Sequence, residues 1–297
     1  MAFFSPERKI VNAKPALRSQ VPSPPAAERG AAAGRDASAN GRAGGAPKNR
    51  PGRRSEALDP GRVTLAQVRA SAQVNHYIDR ANEILGAIGY TEHGKRHHKL
   101  CAKRARELLE ALSQPARTCE LAEIAAYLHD IGNIVNRNWH AQSGAQIAHS
   151  ILRGMGMPVE EVTEIIAAIG HHDEIDGAPV SAVASAVIIA DKSDVHRSRV
   201  RERSTINFDI HDRVNYAVTR SVLSVETRGR EMEEAIQEAD APPPVAGLIT
   251  LHLTIDTRIS PVMEYFEIFL PRMILSRRAA EKLACVYKLR VNGADFL

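Results

Sequence analysis

From Thr64 onward, apolar residues recur at the spacing of one helix face: Leu65, Val68, Tyr77, Ile78, Ala81, Ile84, Leu85 and Ile88. Thr64 suits an N-cap, and Gly89 suits the left-handed residue that ends a helix. Similar spacing predicts a helix over 94–113, with Leu100, Ala105, Leu108, Leu109 and Leu112 buried and Pro115 beyond its end. Further helices are predicted over 118–132, 140–152, 158–169 and 180–195. After about Asp209 the period changes. VNYAVTRSVLSVET alternates in part, and LITLHLTIDT alternates clearly, with Ile249, Leu251, Leu253 and Ile255 between Thr250, His252 and Thr254. Both read as strands. The acidic, Pro-rich EMEEAIQEADAPPP between them reads as a loop with room for a short helix. A helix from Pro261 to about Tyr287 follows, with a kink or break expected at Pro271, then a short strand KLRVNG. The end of the chain therefore reads as a small antiparallel sheet carrying one helix.

Composition changes the picture at the N-terminus. Residues 1–62 are rich in Pro, Gly, Ala, Ser and Arg and hold few large apolar side chains after the first dozen. Such a segment buries too little surface to offset its ordering entropy, so a disordered basic extension is expected there. It carries a charge of +7 against +4 for the whole chain, which leaves −3 for the rest. The basic character thus belongs to the extension, and a nucleic-acid-binding fold is not expected from it. Aromatic residues are 4% of the chain, so Leu, Ile, Val and Ala must fill the core. Cys101, Cys119 and Cys285 are far apart and form no C-x-x-C, which argues for a reducing compartment. No apolar run suits a membrane helix or a signal core, so a cytoplasmic protein is expected. Three regions follow: 1–62 as the extension, 63–205 as a helical domain and 206–297 as a small α+β appendage. The fold class is mainly α.

The twelve histidines are clustered, eight of them between His93 and His172. Six fall in four phrases: GKRHH, YLHDIGN, WHAQSGAQIA and IGHHDE; a fifth, IIADKSD, contributes Asp191 behind an apolar run. Imidazole and carboxylate together suit iron, manganese, cobalt or zinc. Singly, each phrase has an ordinary structural explanation. His129 suits a helix C-terminus, for example, but Asp130 beside it is disfavoured by the helix dipole unless a cation stabilises it. A buried Asp191 likewise needs a partner or a metal.

In this order the phrases resemble the HD superfamily of metal-dependent phosphohydrolases: His97, the pair His129-Asp130, then Asp191. Gly94, His97 and Cys101 fit the first phrase of that pattern. His140, followed by Gly144-Ala145, and His172, with His171 able to replace or join it, resemble the extra ligands of two-metal members. These include symmetrical dinucleoside-tetraphosphate hydrolases and GYP-type cyclic-dinucleotide phosphodiesterases; this chain has HHDEIDGAPVS without Gly-Tyr-Pro. The resemblance implies a helical HD-type bundle and divalent transition metal in two ions, iron, manganese, cobalt or zinc. One would sit on His97, His129, Asp130 and Asp191, the other on Asp130, His140 and His172. Asp130 and Lys192 would be catalytic, and Lys192, Arg197, Arg199 and Arg201 would bind substrate phosphate. The implied activity is hydrolysis of a phosphoester or phosphoanhydride bond in a nucleotide or related small phosphate compound by a metal-bound hydroxide. The alternative is a nucleotide-binding HD sensor or scaffold that signals through the α+β region. The expected partner is the small phosphate substrate, with no membrane and no nucleic acid. Helix 261–287 has enough apolar surface for a homodimer contact, although packing on its own sheet explains that surface equally.

Overall fold

The computed structural model describes residues 62–202, 204, 206, 209–227 and 245–296. The expected N-terminal extension and the acidic loop lie outside the described residues, apart from Arg62. The first predicted helix is two helices, α1 (Leu65–Ala70) and α2 (Ala72–Ala87). Thr64 caps α1 in a capping box with Gln67, and Ser71 breaks the run by capping α2 through the Val74 amide. Next come α3 (Lys95–Ala111), α4 (Ala116–Leu128), a short 3-10 turn (Ile131–Ile134), α5 (His140–Gly154), α6 (Val159–Gly170) and α7 (Ala182–Lys192). All ten residues from Val183 to Lys192 are buried. A helix apolar on nearly every side belongs at the centre of a bundle, and α7 packs on α3, α4 and α6.

The stretch expected to begin a strand at Val214 instead forms α8 (Ile210–Ala217), followed by β1 (Val218–Thr227). The Asp209 side chain caps α8 by accepting from the His211 and Asp212 amides, and Val214 and Ala217 are buried one turn apart. These residues satisfy both periods, and the cap decides for helix. β2 (Gly247–Ile255), α9 (Val262–Lys282), β3 (Cys285–Val291) and β4 (Ala294–Asp295) complete the fold. The sheet order is β1-β2-β3-β4. β1–β2 and β3–β4 are antiparallel, but β2 and β3 are parallel, so the expected purely antiparallel sheet is corrected to a mixed one. The cause is α9: a long helical crossover returns the chain to the end where β2 began. α9 ends at Lys282, and Tyr287 belongs to the strand. The helix is not broken at Pro271. That residue and Glu267 are both exposed, so the carbonyl deprived of its N–H partner is on the water side.

The described residues from 62 onward form one compact unit. α9 lies between β3 and α7, and the bidentate pair Arg213–Glu264, with both bonds 2.9 Å, ties α8 to it. Arg104 of α3 donates to the Ser193 hydroxyl at 2.8 Å and to the Ser221 carbonyl of β1 at 2.6 Å. The core is continuous from α1 to β3. Among the described residues, no helix is long and apolar enough to cross a membrane. Ile188 sits at 0% exposure in α7. Ile188→Ala is expected to lower unfolding free energy by about 2–5 kcal/mol, read from the urea midpoint; a loss below about 0.5 kcal/mol, the scale of a surface substitution, would mean that α7 is not central to the core.

Candidate metal centre

Five elements converge on one buried carboxylate. His97 lies in the first turn of α3, and His129 and Asp130 follow the last residue of α4. His140 opens α5, His172 follows the end of α6, and Asp191 lies at the end of α7. The helix expected over 118–132 stops at Leu128, so the His-Asp pair sits in the turn rather than on a helix face. Gly132 makes that turn fit: a Cβ there would meet the His140 carbonyl at 2.0 Å and the Gly144 amide at 2.4 Å. Trp139, at φ 63°, is in the left-handed region, and the helix that begins just after it carries His140 into the site.

Each imidazole is oriented from behind. His129 Nδ1 donates to the Ala126 carbonyl at 2.8 Å, His140 Nδ1 to Arg137 at 2.9 Å and His172 Nδ1 to Ile169 at 2.6 Å. His97 Nδ1 is held by the Asp194 carboxylate at 2.7 Å. With Nδ1 carrying the proton in each ring, all four Nε2 lone pairs face Asp130 and Asp191, the arrangement typical of metal-ligating histidines. His98 is different. Its Nδ1 donates to the Tyr127 carbonyl at 2.7 Å, and its buried Nε2 has no hydrogen-bond partner among the described residues. Burial, then the neighbouring His129, pushes its pKa down to about 3.

The separations fit a shared cation. Around one ion with bonds of about 2.0–2.1 Å, tetrahedral ligands stand roughly 3.3–3.4 Å apart. His97 Nε2 lies 3.2 Å from His129 Nε2, 3.5 Å from Asp130 Oδ2 and 3.4 Å from Asp191 Oδ1. His129 Nε2 lies 3.3 Å from Asp130 Oδ2 and 3.6 Å from Asp191 Oδ1. On the other side, Asp130 Oδ1 lies 3.4 Å from His140 Nε2 and 3.7 Å from His172 Nε2, and those two nitrogens are 3.2 Å apart. Asp130 therefore offers one oxygen to each of two ligand groups. Cys101, one turn after His97, brings its Sγ within 3.6 Å of that ring and joins the first group.

The electrostatics point the same way. Burial opposes charge on Asp130, but His129, His172 and His97 hold its carboxyl well below the usual range. Burial also works against a charged His129, while Asp130 and Asp191 raise it to about 10. The field that retains that proton also favours a divalent cation, which would displace it. His140, where burial and His172 dominate, is lowered to about 3, so its Nε2 carries a lone pair rather than a proton, and that lone pair accepts from Arg137 at 3.2 Å.

The remaining sequence candidates are placed elsewhere. His171 is the C-cap of α6 and is half-buried, and the structure brings His172 rather than His171 to Asp130. The Lys192 ammonium is buried between Asp191 Oδ2 at 2.8 Å and Glu174 Oε2 at 2.5 Å, so it braces a ligand rather than facing a substrate. Arg197 lies over the Tyr216 ring. Arg201 donates to the Tyr90 and Asn82 carbonyls, both at 2.8 Å. Arg199 alone of the expected phosphate-binding cations lines the cavity of about 410 Å³ beside the centre. His93, Arg137, Glu174 and Arg272 line it too. Sequence reasoning missed His93, Arg137 and Arg272, together with Asp194; Cys101 was visible only as a match to the first phrase, not as a thiol beside the ligands. Of the missed residues, Asp194 left a signal, one turn after Asp191 in DKSD.

The comparisons with known proteins agree with this geometry. Residues 95–196 match the family model of the HD domain, and the buried His/Asp cluster fits an HD metal site. Over 152 residues the chain is 29% identical to an uncharacterized protein of Methanocaldococcus jannaschii, covering 43% of this chain and 58% of the relative. Over 140 residues it is 32% identical to ribonuclease Y of Cutibacterium acnes, covering 47% of this chain and 25% of the relative. The match thus spans little more than half of one relative's length and a quarter of the other's. His97→Ala and Asp130→Ala are expected to lower the transition metal retained after reconstitution and desalting, whereas His171→Ala keeps it; elemental analysis decides, and metal loss in His171→Ala alone would reverse the ligand assignment.

Proposed function

We propose that this protein is a metal-dependent phosphohydrolase that cleaves a phosphoester or phosphoanhydride bond in a nucleotide or related small phosphate compound. The observation that carries this is Asp130, whose two oxygens face two separate sets of imidazole nitrogens. A carboxylate in that position suits a bridge between two cations, and a two-cation site matches the symmetry of phosphoryl displacement. His97, His129, Asp130 and Asp191 would hold one ion, with Cys101 in reach, and Asp130, His140 and His172 the other. When bound, such ions supply Lewis-acid polarisation of phosphoryl oxygens and an activated water.

The chain's own residues do the rest. Asp194 fixes the His97 ring through Nδ1, and Arg96 holds Asp194 in turn at 2.9 Å. Lys192 fixes the outer oxygen of Asp191, so its inner oxygen stays turned to His97 and His129. The cavity volume of about 410 Å³ lies within the roughly 300–1,000 Å³ of small-molecule sites, which favours a nucleotide-sized substrate. A second reading, phosphodiester cleavage in RNA, is favoured by the similarity to ribonuclease Y.

The test is phosphate release, or strand cleavage, by the manganese-loaded chain on nucleotides, dinucleoside polyphosphates, cyclic dinucleotides and a short RNA. Turnover should stop with a chelator and return with metal. Asp130→Ala should lower kcat by about 10³-fold or more, since several kcal/mol of charge stabilisation are removed at about 1.4 kcal/mol per tenfold. Full activity in Asp130→Ala with metal still bound would refute the mechanism. Nucleotide binding without any turnover would favour the sensor alternative.

A further inference from the structure

Three arginines reach the cavity beside the metal centre, and their commitments differ. Arg199 is engaged by the chain itself: it donates to the Asp194 carbonyl at 2.9 Å and the Glu92 carbonyl at 3.2 Å, and it is buried. Arg137 and Arg272 keep donors in hand. Arg137 comes from the segment before α5. Its Nη1 donates to His140 Nε2 at 3.2 Å, its guanidinium lies 5.5 Å from the Tyr90 ring centre, and among the described residues it has no carboxylate partner. Arg272 comes from α9. Its guanidinium lies 4.8 Å from the Phe269 ring centre, and its single hydrogen bond among the described residues runs from Nε to Glu174 Oε1 at 3.1 Å.

A guanidinium carries five N–H donors in a planar fork matched to phosphate oxygens. Most of those donors on Arg137 and Arg272 are therefore free for a ligand. The carboxylates that share the cavity are already taken. Glu174 is held by Lys192 and Arg272, Asp209 caps α8, and Asp212 is engaged as well. What the wall leaves unanswered is its set of guanidinium donors, since its three arginines are matched in number by Glu174, Asp209 and Asp212. That set also begins at the metal centre, because Arg137 donates to the lone pair that a cation on His140 would take.

We propose that Arg137 and Arg272 form the anion subsite of this cavity and bind a phosphate group of the substrate, so that helix α9 of the C-terminal region completes the site. The identity of the ligand as a phosphate compound rests on the phosphohydrolase reading. The placement of the two arginines does not. The subsite also reassigns phosphate recognition away from Lys192, Arg197 and Arg201.

The test is calorimetric binding of inorganic pyrophosphate, and separately of inorganic phosphate, to the manganese-loaded full chain, with metal content measured in every variant. Arg137→Gln and Arg272→Gln should each weaken pyrophosphate binding about tenfold or more, equivalent to about 1.4 kcal/mol, at unchanged metal content. Arg278→Gln, an exposed arginine of α9, removes the same charge and should change nothing. Affinities within twofold of wild type in both variants, or no pyrophosphate binding by the loaded wild type, overturn the proposal. If Arg272→Gln melts early, Arg272→Lys should restore the melting temperature by keeping a cation beside Glu174 while pyrophosphate binding stays weak. Binding restored together with melting would reduce Arg272 to a structural role and overturn its part. A chain that binds pyrophosphate through these arginines yet hydrolyses nothing refutes the hydrolase reading and leaves the subsite standing; hydrolysis with unaltered anion affinity in both variants does the reverse.

Discussion

The Asp130 carboxylate, 3% exposed, turns one oxygen to His97 and His129 and the other to His140 and His172. An isolated carboxylate in that position would cost many kcal/mol, and even a paired one is costly unless its partners are well placed. The helical region is organised to supply those partners. His97 belongs to α3, Asp191 to α7, and the other imidazoles sit at or next to the ends of α4, α5 and α6. The last turn of a helix is where a backbone carbonyl is available to orient a ring, and Ala126 and Ile169 do so, while Arg137 supplies its carbonyl from the segment before α5. For His129 and His172 the site thus uses backbone groups that the helices cannot satisfy internally.

This also explains what could be read from the sequence. His129-Asp130 is a local signal at a helix terminus, and His97 with Cys101 is a one-turn pair. Ligand chemistry of this kind survives in linear order because each element contributes one short phrase. The α-helical periods of α3 to α7 were legible for the same reason, since each buries one face or, in α7, nearly all of them. The glycine in YLHDIGN was visible too, but its purpose was not: only the approach of the His140 carbonyl explains why nothing larger fits at Gly132.

Illegible features depend on partners distant in the chain. Arg272 and Glu174 are separated by 98 residues, as are Arg96 and Asp194. The RSRVRE arginines looked like phosphate ligands because charge is easy to see in a sequence and commitment is not. In the fold, Arg199 and Arg201 brace backbone carbonyls, and Arg197 stacks on Tyr216. The error over Val214–Ala217 has a different origin. Those residues fit both a strand and a helix period, and the deciding contribution came from the Asp209 cap. The parallel pairing of β2 and β3 followed from the length of the helix between them, which was itself correctly anticipated to within a few residues.

The C-terminal region looked separable in sequence because it contains no ligand phrase. In the structure a run of charges links it to the centre, from the half-buried pair Arg272–Glu174 to the buried Lys192 and Asp191. Removing one member takes from its neighbour one of the charges that hold it in place. Such a relay couples the position of α9 to the orientation of a metal ligand. It also keeps Lys192 away from solvent, with its ammonium divided between two carboxylates. Two side chains, Glu174 and Lys192, thus stand between Arg272 of α9 and Asp191, so the C-terminal region is built into the surroundings of the metal centre rather than appended to them.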